Sequence, residues 1–251
     1  MKKISRYKVE LSILIPLIIL AVISVITIFG ASDIIKDNFS NAYLKQILWY
    51  ILGFGVAYVV MYIGTDFLLK YSWLFYIVGI ISLILLLLIG EPINNARCWF
   101  SIGNIATIQP SEFIKIILIL VLARVINDFN EQNSRPSIRD EFYLLVKVFL
   151  IVGIPSLLTF LQPDTGAVII YLAITLAMLI SSGIRFRWFA IIGGLALILA
   201  AIFFGIYFFN SELFIKIFGT NFFYRMDRIL DWQAKDGMQL GNALTAIGSA
   251  G

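Results

Sequence analysis

Apolar runs alternate with short polar breaks along almost the whole chain. The runs cover about 11–30, 44–63, 72–90, 111–127, 142–161, 166–183 and 188–209. Each has close to the roughly 20 residues that a helix needs to cross a hydrocarbon core of about 30 Å. Inside the runs, apolar residues do not alternate with polar ones, as ISLILLLLIG (81–90) and AIIGGLALILAAIFFGIYFF (190–209) illustrate. A membrane β-barrel needs segments of about ten residues that do alternate. Only helices then satisfy the backbone in lipid. The pattern predicts an all-α polytopic membrane bundle of about seven transmembrane helices with a long loop after the last.

Composition agrees and narrows the chemistry. The chain is 61% hydrophobic and 14% charged, with a mean hydropathy of +0.95, which excludes a soluble globular domain. The first run, Leu11 to Phe29, is too long for a signal peptide and lacks a small-residue cleavage site, so it reads as a retained helix. Cys98 is the one cysteine, so no internal disulfide forms, and histidine is absent. Acid–base chemistry therefore falls to carboxylates or lysines.

Lys and Arg in the short loops set the orientation. Lys2, Lys3, Arg6 and Lys8 precede the first run. Arg124, Arg135 and Arg139 follow the fourth, and Arg185 and Arg187 follow the sixth. Alternating spans put all three groups on one side, the cytoplasm, where such cations ordinarily fix topology and touch lipid head groups. The outer face then carries 31–43, 91–110, 162–165 and everything beyond about 210.

Three outer segments hold candidate chemistry. In ARCWFSIGNIATIQPSEFIKI (96–116), Trp99 suits the interface beside Arg97, and Pro110 suits the first turn of a helix after Gln109. Ser111 and Glu112 crowd that turn, where the helix dipole favours a carboxylate. Glu112 and Lys115 share one helix face and can pair. A capped helix start explains them as well as a site does, except that Lys115 lies a turn inside an apolar run, where ionisable groups normally face a cavity or partner. Around the turn Gln162–Pro163–Asp164, Asp164 is expected to cap the next helix through the amides of Thr165 or Gly166. The last segment, 210–251, mixes aromatics with Arg225, Asp227, Arg228, Asp231, Lys235 and Asp236. Part of it has the periodicity of an amphipathic helix lying on the bilayer. Cations near lone carboxylates at a membrane surface suit a phosphate-bearing lipid with a nearby base, although a solvated charged face would look the same.

Four stretches together resemble the SEDS family of RodA/FtsW-type peptidoglycan glycosyltransferases. KQILWYILG (45–53) is similar to its second-helix signature, and 96–116 to its "RRWF-IG…QPSE--K". LQPDTG (161–166) is similar to "QPDLG", and MQLGNALTAIGSAG (238–251) to "YQ--QSL-AIGSGG". The resemblance implies one membrane-embedded domain over 1–251, with 210–251 as an extracytoplasmic catalytic loop region. It implies a multi-pass protein of the bacterial inner membrane, with a cytoplasmic N-terminus and an outer active site. Such families have about ten helices, so the chain is expected to be incomplete at its C-terminus.

The implied activity is polymerisation of lipid II, in elongation or division, beside a class B penicillin-binding protein and among membrane lipids. No nucleic-acid partner is expected. Inversion at the sugar requires a base for the acceptor hydroxyl and positive charge for the departing diphosphate. By resemblance, Asp236, three residues before Gln239, is the base, with Asp231 its competitor because LDWQAKDGMQ departs from "LDP--DP-G-GYQ". Arg97 and Lys115 are assigned to the diphosphate, Glu112 to orienting Lys115, and Trp99 to shaping the lipid-facing groove. Gln109, Pro110, Ser111, Gln162, Asp164 and Gln239 are supporting residues. No protein-bound metal site is expected, although magnesium or manganese on the substrate diphosphate is compatible with the scheme. A precursor flippase would instead need Glu112 and Lys115 but neither loop aspartate, and a non-catalytic scaffold would need none of them.

Overall fold

A computed structural model of the protein describes residues 10–32, 42–90, 97–102, 106–133, 135–220, 222–223, 241–242, 244–245 and 248. Helices α1 (Leu11–Ser32), α2 (Ala42–Ile63), α3 (Thr65–Lys70) and α4 (Ser72–Ile89) lead into the strands β1 (Phe100–Ile102) and β2 (Ala106–Ile108). Then come α5 (Pro110–Gln132), α6 (Ile138–Leu161), α7 (Thr165–Ser181), α8 (Arg187–Phe209) and α9 (Ser211–Phe218). All seven apolar runs are helices. Among the described residues, α1, α2, α4, α6 and α8 are long and apolar enough to cross a membrane. Two others fall short for visible reasons. α7 has 17 residues, and α5 carries Glu112, Lys115, Arg124, Asp128 and Glu131 along its length.

The charges of α5 are tolerated because it is the central helix of its unit, packed against α3, α4, α6 and α7. Ile114, Leu118, Val121 and Leu122 on α5 are fully buried, as are Leu83 and Leu86 on α4 and Tyr171 on α7. Gly79 lets α4 and α5 approach closely: a Cβ there would lie 2.6 Å from Ile114 Cδ1. The outward faces are mostly apolar, from Ile13 and Leu20 on α1 to Phe149 and Leu157 on α6, as lipid contact demands.

Polar contacts within the bundle replace what the helices lose. Pro155 removes the N–H that would meet the Ile151 carbonyl four residues earlier. The Tyr76 hydroxyl of α4 donates to that carbonyl instead, at 2.8 Å. Such substitution is how membrane helices accommodate proline.

The chain divides into two compact units, Met1–Gly183 and Ile184–Gly251. In the second, the eight-residue α9 buries Phe214 against Phe203 and Tyr207 of α8, with ring centroids 5.1 and 5.2 Å apart. The amphipathic helix expected after 210 therefore exists. Two small elements were not anticipated: α3, and the antiparallel pairing of β1 with β2, in which Phe100 faces Ile108.

Candidate functional site

The QPSE segment and the QPD turn meet at the head of α5. Pro110 occupies the first turn of α5, where its missing N–H costs nothing. Gln109, the residue before it, makes no side-chain cap. Its amide Nε2 donates instead to Asp164 Oδ2 at 2.7 Å, and Ser111 Oγ donates to the same oxygen at 2.9 Å. The other oxygen, Oδ1, accepts from the Ala167 backbone N–H at 3.2 Å. Asp164 does cap α7, but through Ala167 and not through Thr165 or Gly166. A capping side chain reaches the second or third amide of the helix, and Ala167 is the third. With both oxygens committed, this carboxylate is a clamp.

Gln162 ties three segments together. It is 1% exposed, its Nε2 donates to the Leu83 carbonyl of α4 at 2.9 Å, and its backbone carbonyl accepts from Cys98 Sγ at 2.6 Å. Cys98 thus fixes the segment that carries Arg97 and Trp99. Burial first, and then the charge of Asp164, push the Cys98 thiol up from 9.0 to about 11. Tyr171 completes the knot from α7: its hydroxyl donates to the Ser111 carbonyl at 2.9 Å and lies 3.5 Å from Thr159 Oγ1.

Directly below the knot, Lys115 Nζ pairs with Glu112 Oε2 at 2.6 Å, with the lysine 20% and the glutamate 55% exposed. Lys115 is thus accessible and, among the described residues, paired with Glu112. Arg97 is exposed, and among the described residues no hydrogen bond or ion pair joins it or Trp99 to Glu112 or Lys115. Beside this end of the bundle runs an apolar groove of about 410 Å³, lined by Phe75, Val78 and Gly79 of α4, Phe113 and Ile117 of α5, and Phe100 and Ile108 of the hairpin. Trp99 is not among its lining residues; its neighbour Phe100 takes that place.

Of the residues singled out in the sequence, Gln109, Pro110, Ser111, Gln162 and Asp164 converge, and Glu112 pairs with Lys115 beneath them. Asp231, Asp236 and Gln239 lie outside the described residues. Sequence reasoning missed Tyr171 and the anchoring role of Cys98. Asp164, Ala167 and Tyr171 do share one face of α7, so helical spacing carried a signal for the tyrosine. No group of three His, Cys, Asp or Glu stands together among the described residues.

The sequence model of the FtsW, RodA and SpoVE family, described as cell cycle proteins, matches residues 10–251. The chain belongs to this family. Among the relatives of this FtsW/RodA/SpoVE chain is the "Probable peptidoglycan glycosyltransferase FtsW" of Coxiella burnetii. It is 28% identical over 244 residues, which are 92% of this chain and 60% of the relative. The "Peptidoglycan glycosyltransferase MrdB" of Helicobacter pylori is 30% identical, over 67% of this chain and 42% of that protein. The chain thus spans less than two thirds of the length of these relatives. The rod shape determining protein RodA of Thermus thermophilus matches in structure with a TM-score of 0.59 and 25% identity, covering 78% of this chain and 60% of that one. A chain of a peptidoglycan synthase complex that coordinates polymerization and crosslinking matches with a TM-score of 0.63 at 22% identity, over 91% of this chain and 62% of that one. The helical bundle is that of the family, and the FtsW/RodA/SpoVE chain is a multi-pass inner-membrane protein.

Proposed function

We propose that the protein is a peptidoglycan glycosyltransferase that polymerises lipid II by an inverting displacement. The observation that carries this is the joining of QPSE to QPD through Asp164, which fixes the head of α5 that bears the accessible Lys115–Glu112 pair, while another face of the same helix lines an apolar groove. A substrate with an anionic head and a long hydrocarbon tail needs that pairing of features. The names of the Coxiella and Helicobacter relatives support the same activity.

In this scheme the carboxylate of Asp236 takes the proton of the acceptor hydroxyl, and Asp231 is its competitor for the role. The acceptor oxygen attacks the anomeric carbon as the bond to the diphosphate breaks. Lys115 and Arg97 receive the departing charge, which grows in the transition state and so rewards fixed cations there. Glu112 keeps Lys115 oriented. Gln109, Ser111, Gln162 and Asp164 hold the head of α5 in place, and Gln239 anchors the loop that carries the base. A magnesium or manganese ion held by the substrate diphosphate is compatible with this scheme.

The basic loops support a cytoplasmic N-terminus, an outer active site, and 210–251 as the extracytoplasmic catalytic loop region of a single membrane-embedded domain. The synthase-complex neighbour supports a crosslinking partner, for which a class B penicillin-binding protein is the expected transpeptidase.

The decisive experiment is polymerisation of labelled lipid II by the full-length protein carrying Asp236→Asn or Asp231→Asn. Asparagine keeps the shape of aspartate but cannot accept the proton, so the variant of the true base should lose about a hundredfold or more while still binding lipid II. Normal polymerisation by both variants would remove the base from this loop. A parent protein that translocates but never polymerises lipid II would make it a flippase, and one that does neither would make it a scaffold.

A further inference from the structure

We propose that the cavity between α3 and the far end of α5 holds a phospholipid head group, taking its phosphodiester on Arg124 and Lys70. This cavity has a volume of about 430 Å³ and is lined by Asp66, Leu69 and Lys70 of α3 with Ala123, Arg124 and Asn127 of α5. It is distinct from the candidate active site. Arg124 stands 14 residues beyond Pro110 on α5, a rise of about 21 Å along the axis, so the two lie toward opposite membrane surfaces.

The guanidinium is held in place before any ligand arrives. Arg124 Nη1 donates to the Leu69 carbonyl at 3.2 Å and to the Lys70 carbonyl at 2.9 Å, closing the end of α3. Its other N–H groups have no hydrogen-bond partner among the described residues, and they form the planar fork that matches phosphate oxygens. Lys70 Nζ lies over the Tyr71 ring, 5.5 Å from its centroid, and makes no ion pair among the described residues. Asn127 lines the same wall, where its Nδ2 donates to Glu131 Oε1 at 2.9 Å.

Depth and charge identify the ligand class. Phe67, Tyr71 and Trp73 fall within α3, just after it and at the start of α4, an aromatic enrichment typical of the level where head groups sit. The basic residues Arg135 and Arg139 follow α5 at the same end. Among the lining side chains Asp66 opposes Lys70 and Arg124, a balance of about one positive charge, and the Glu131 carboxylate is engaged by Asn127 at the edge. A dianion such as free phosphate is disfavoured beside Asp66, whereas the single negative charge of a glycerophospholipid phosphodiester fits the balance.

The test uses the full chain in a neutral detergent, with dihexanoyl phosphatidylglycerol as the probe and native mass spectrometry to read its dissociation constant. Lys70→Gln should weaken binding about tenfold, the loss of one charge-assisted contact, because this side chain caps nothing and can be removed without unfolding α3. Lys147→Gln, on the outward face of α6, should leave binding unchanged. Inorganic phosphate should not displace the lipid from the parent protein, and Asp66→Asn should let it begin to. Equal affinity in Lys70→Gln and parent overturns the site. Displacement of lipid by equimolar inorganic phosphate overturns the head-group assignment and makes this a free-anion site.

Discussion

Asp164 Oδ2 accepts a hydrogen bond from Ser111 Oγ at 2.9 Å across a sequence separation of 53 residues. With Gln109 on the same oxygen and Ala167 on the other, the carboxylate serves three donors at once. An asparagine cannot do this, because one of its two positions is itself a donor. Asp164→Asn should therefore lower stability by about 1–3 kcal/mol, the usual cost of leaving part-buried partners unmade. Thermal unfolding in detergent reads this directly. An unchanged midpoint with lost activity would make Asp164 a reacting group and not a clamp.

The ion pair below the knot should behave in the opposite way. A partly exposed pair such as Glu112–Lys115 contributes about 0–1 kcal/mol to stability. Lys115→Ala should leave expression and the unfolding midpoint nearly intact while lipid II turnover falls about a hundredfold. Disappearance of the variant from the membrane would instead make the pair structural.

The seven long helices were legible because lipid leaves a spanning segment little freedom except to be continuously apolar. α3 was not, since six residues between Gly64, at φ 83°, and Tyr71 are too few to set a period. The three-residue strands of the hairpin fail for the same reason. Gln109, Ser111, Gln162 and Asp164 stood out because polar residues beside an apolar run need an explanation. Their pairing did not, because it is fixed by the packing of α5 on α7 and not by anything local. Tyr171 escaped notice because an aromatic residue in an apolar run is ordinarily core, and its hydroxyl gains a purpose through the distant Ser111 carbonyl and Thr159 hydroxyl.

Cys98 should be nearly silent to thiol reagents. Raising the thiol from 9.0 to about 11 cuts its thiolate fraction about a hundredfold at pH 8, before burial at 3% exposure slows access further. The contribution of the protonated thiol to stability is complete below pH 9 and is lost as pH rises through about 11. Labelling with an impermeant maleimide should stay slow in the folded protein at pH 8 and become fast in denaturant. Rapid labelling at pH 8 without denaturant would show that the Cys98–Gln162 contact opens. Ser211→Cys, at an exposed position, is then a clean topology reporter in intact cells, expected to label from outside.

Tyr76 and Pro155 form the pair whose coupling is simplest to measure. The Ile151 carbonyl has no helical partner because Pro155 has no N–H, and the Tyr76 hydroxyl takes that place at 2.8 Å. Tyr76 is 8% exposed and Ile151 5%, so water cannot replace the hydroxyl cheaply. Tyr76→Phe should cost about 1–3 kcal/mol, the penalty for an unsatisfied buried acceptor. Pro155→Ala restores the amide four residues on, whatever it costs in packing. In that background the carbonyl is already satisfied, and the same Tyr76→Phe change should cost about 1 kcal/mol less than in the parent. The cycle isolates this term because the packing loss at position 155 appears in both arms and cancels. Equilibrium unfolding of the four proteins in mixed micelles measures it. Strict additivity would mean that the hydroxyl contributes nothing specific to this carbonyl, and that the Pro155 position of α6 is stabilised by packing alone.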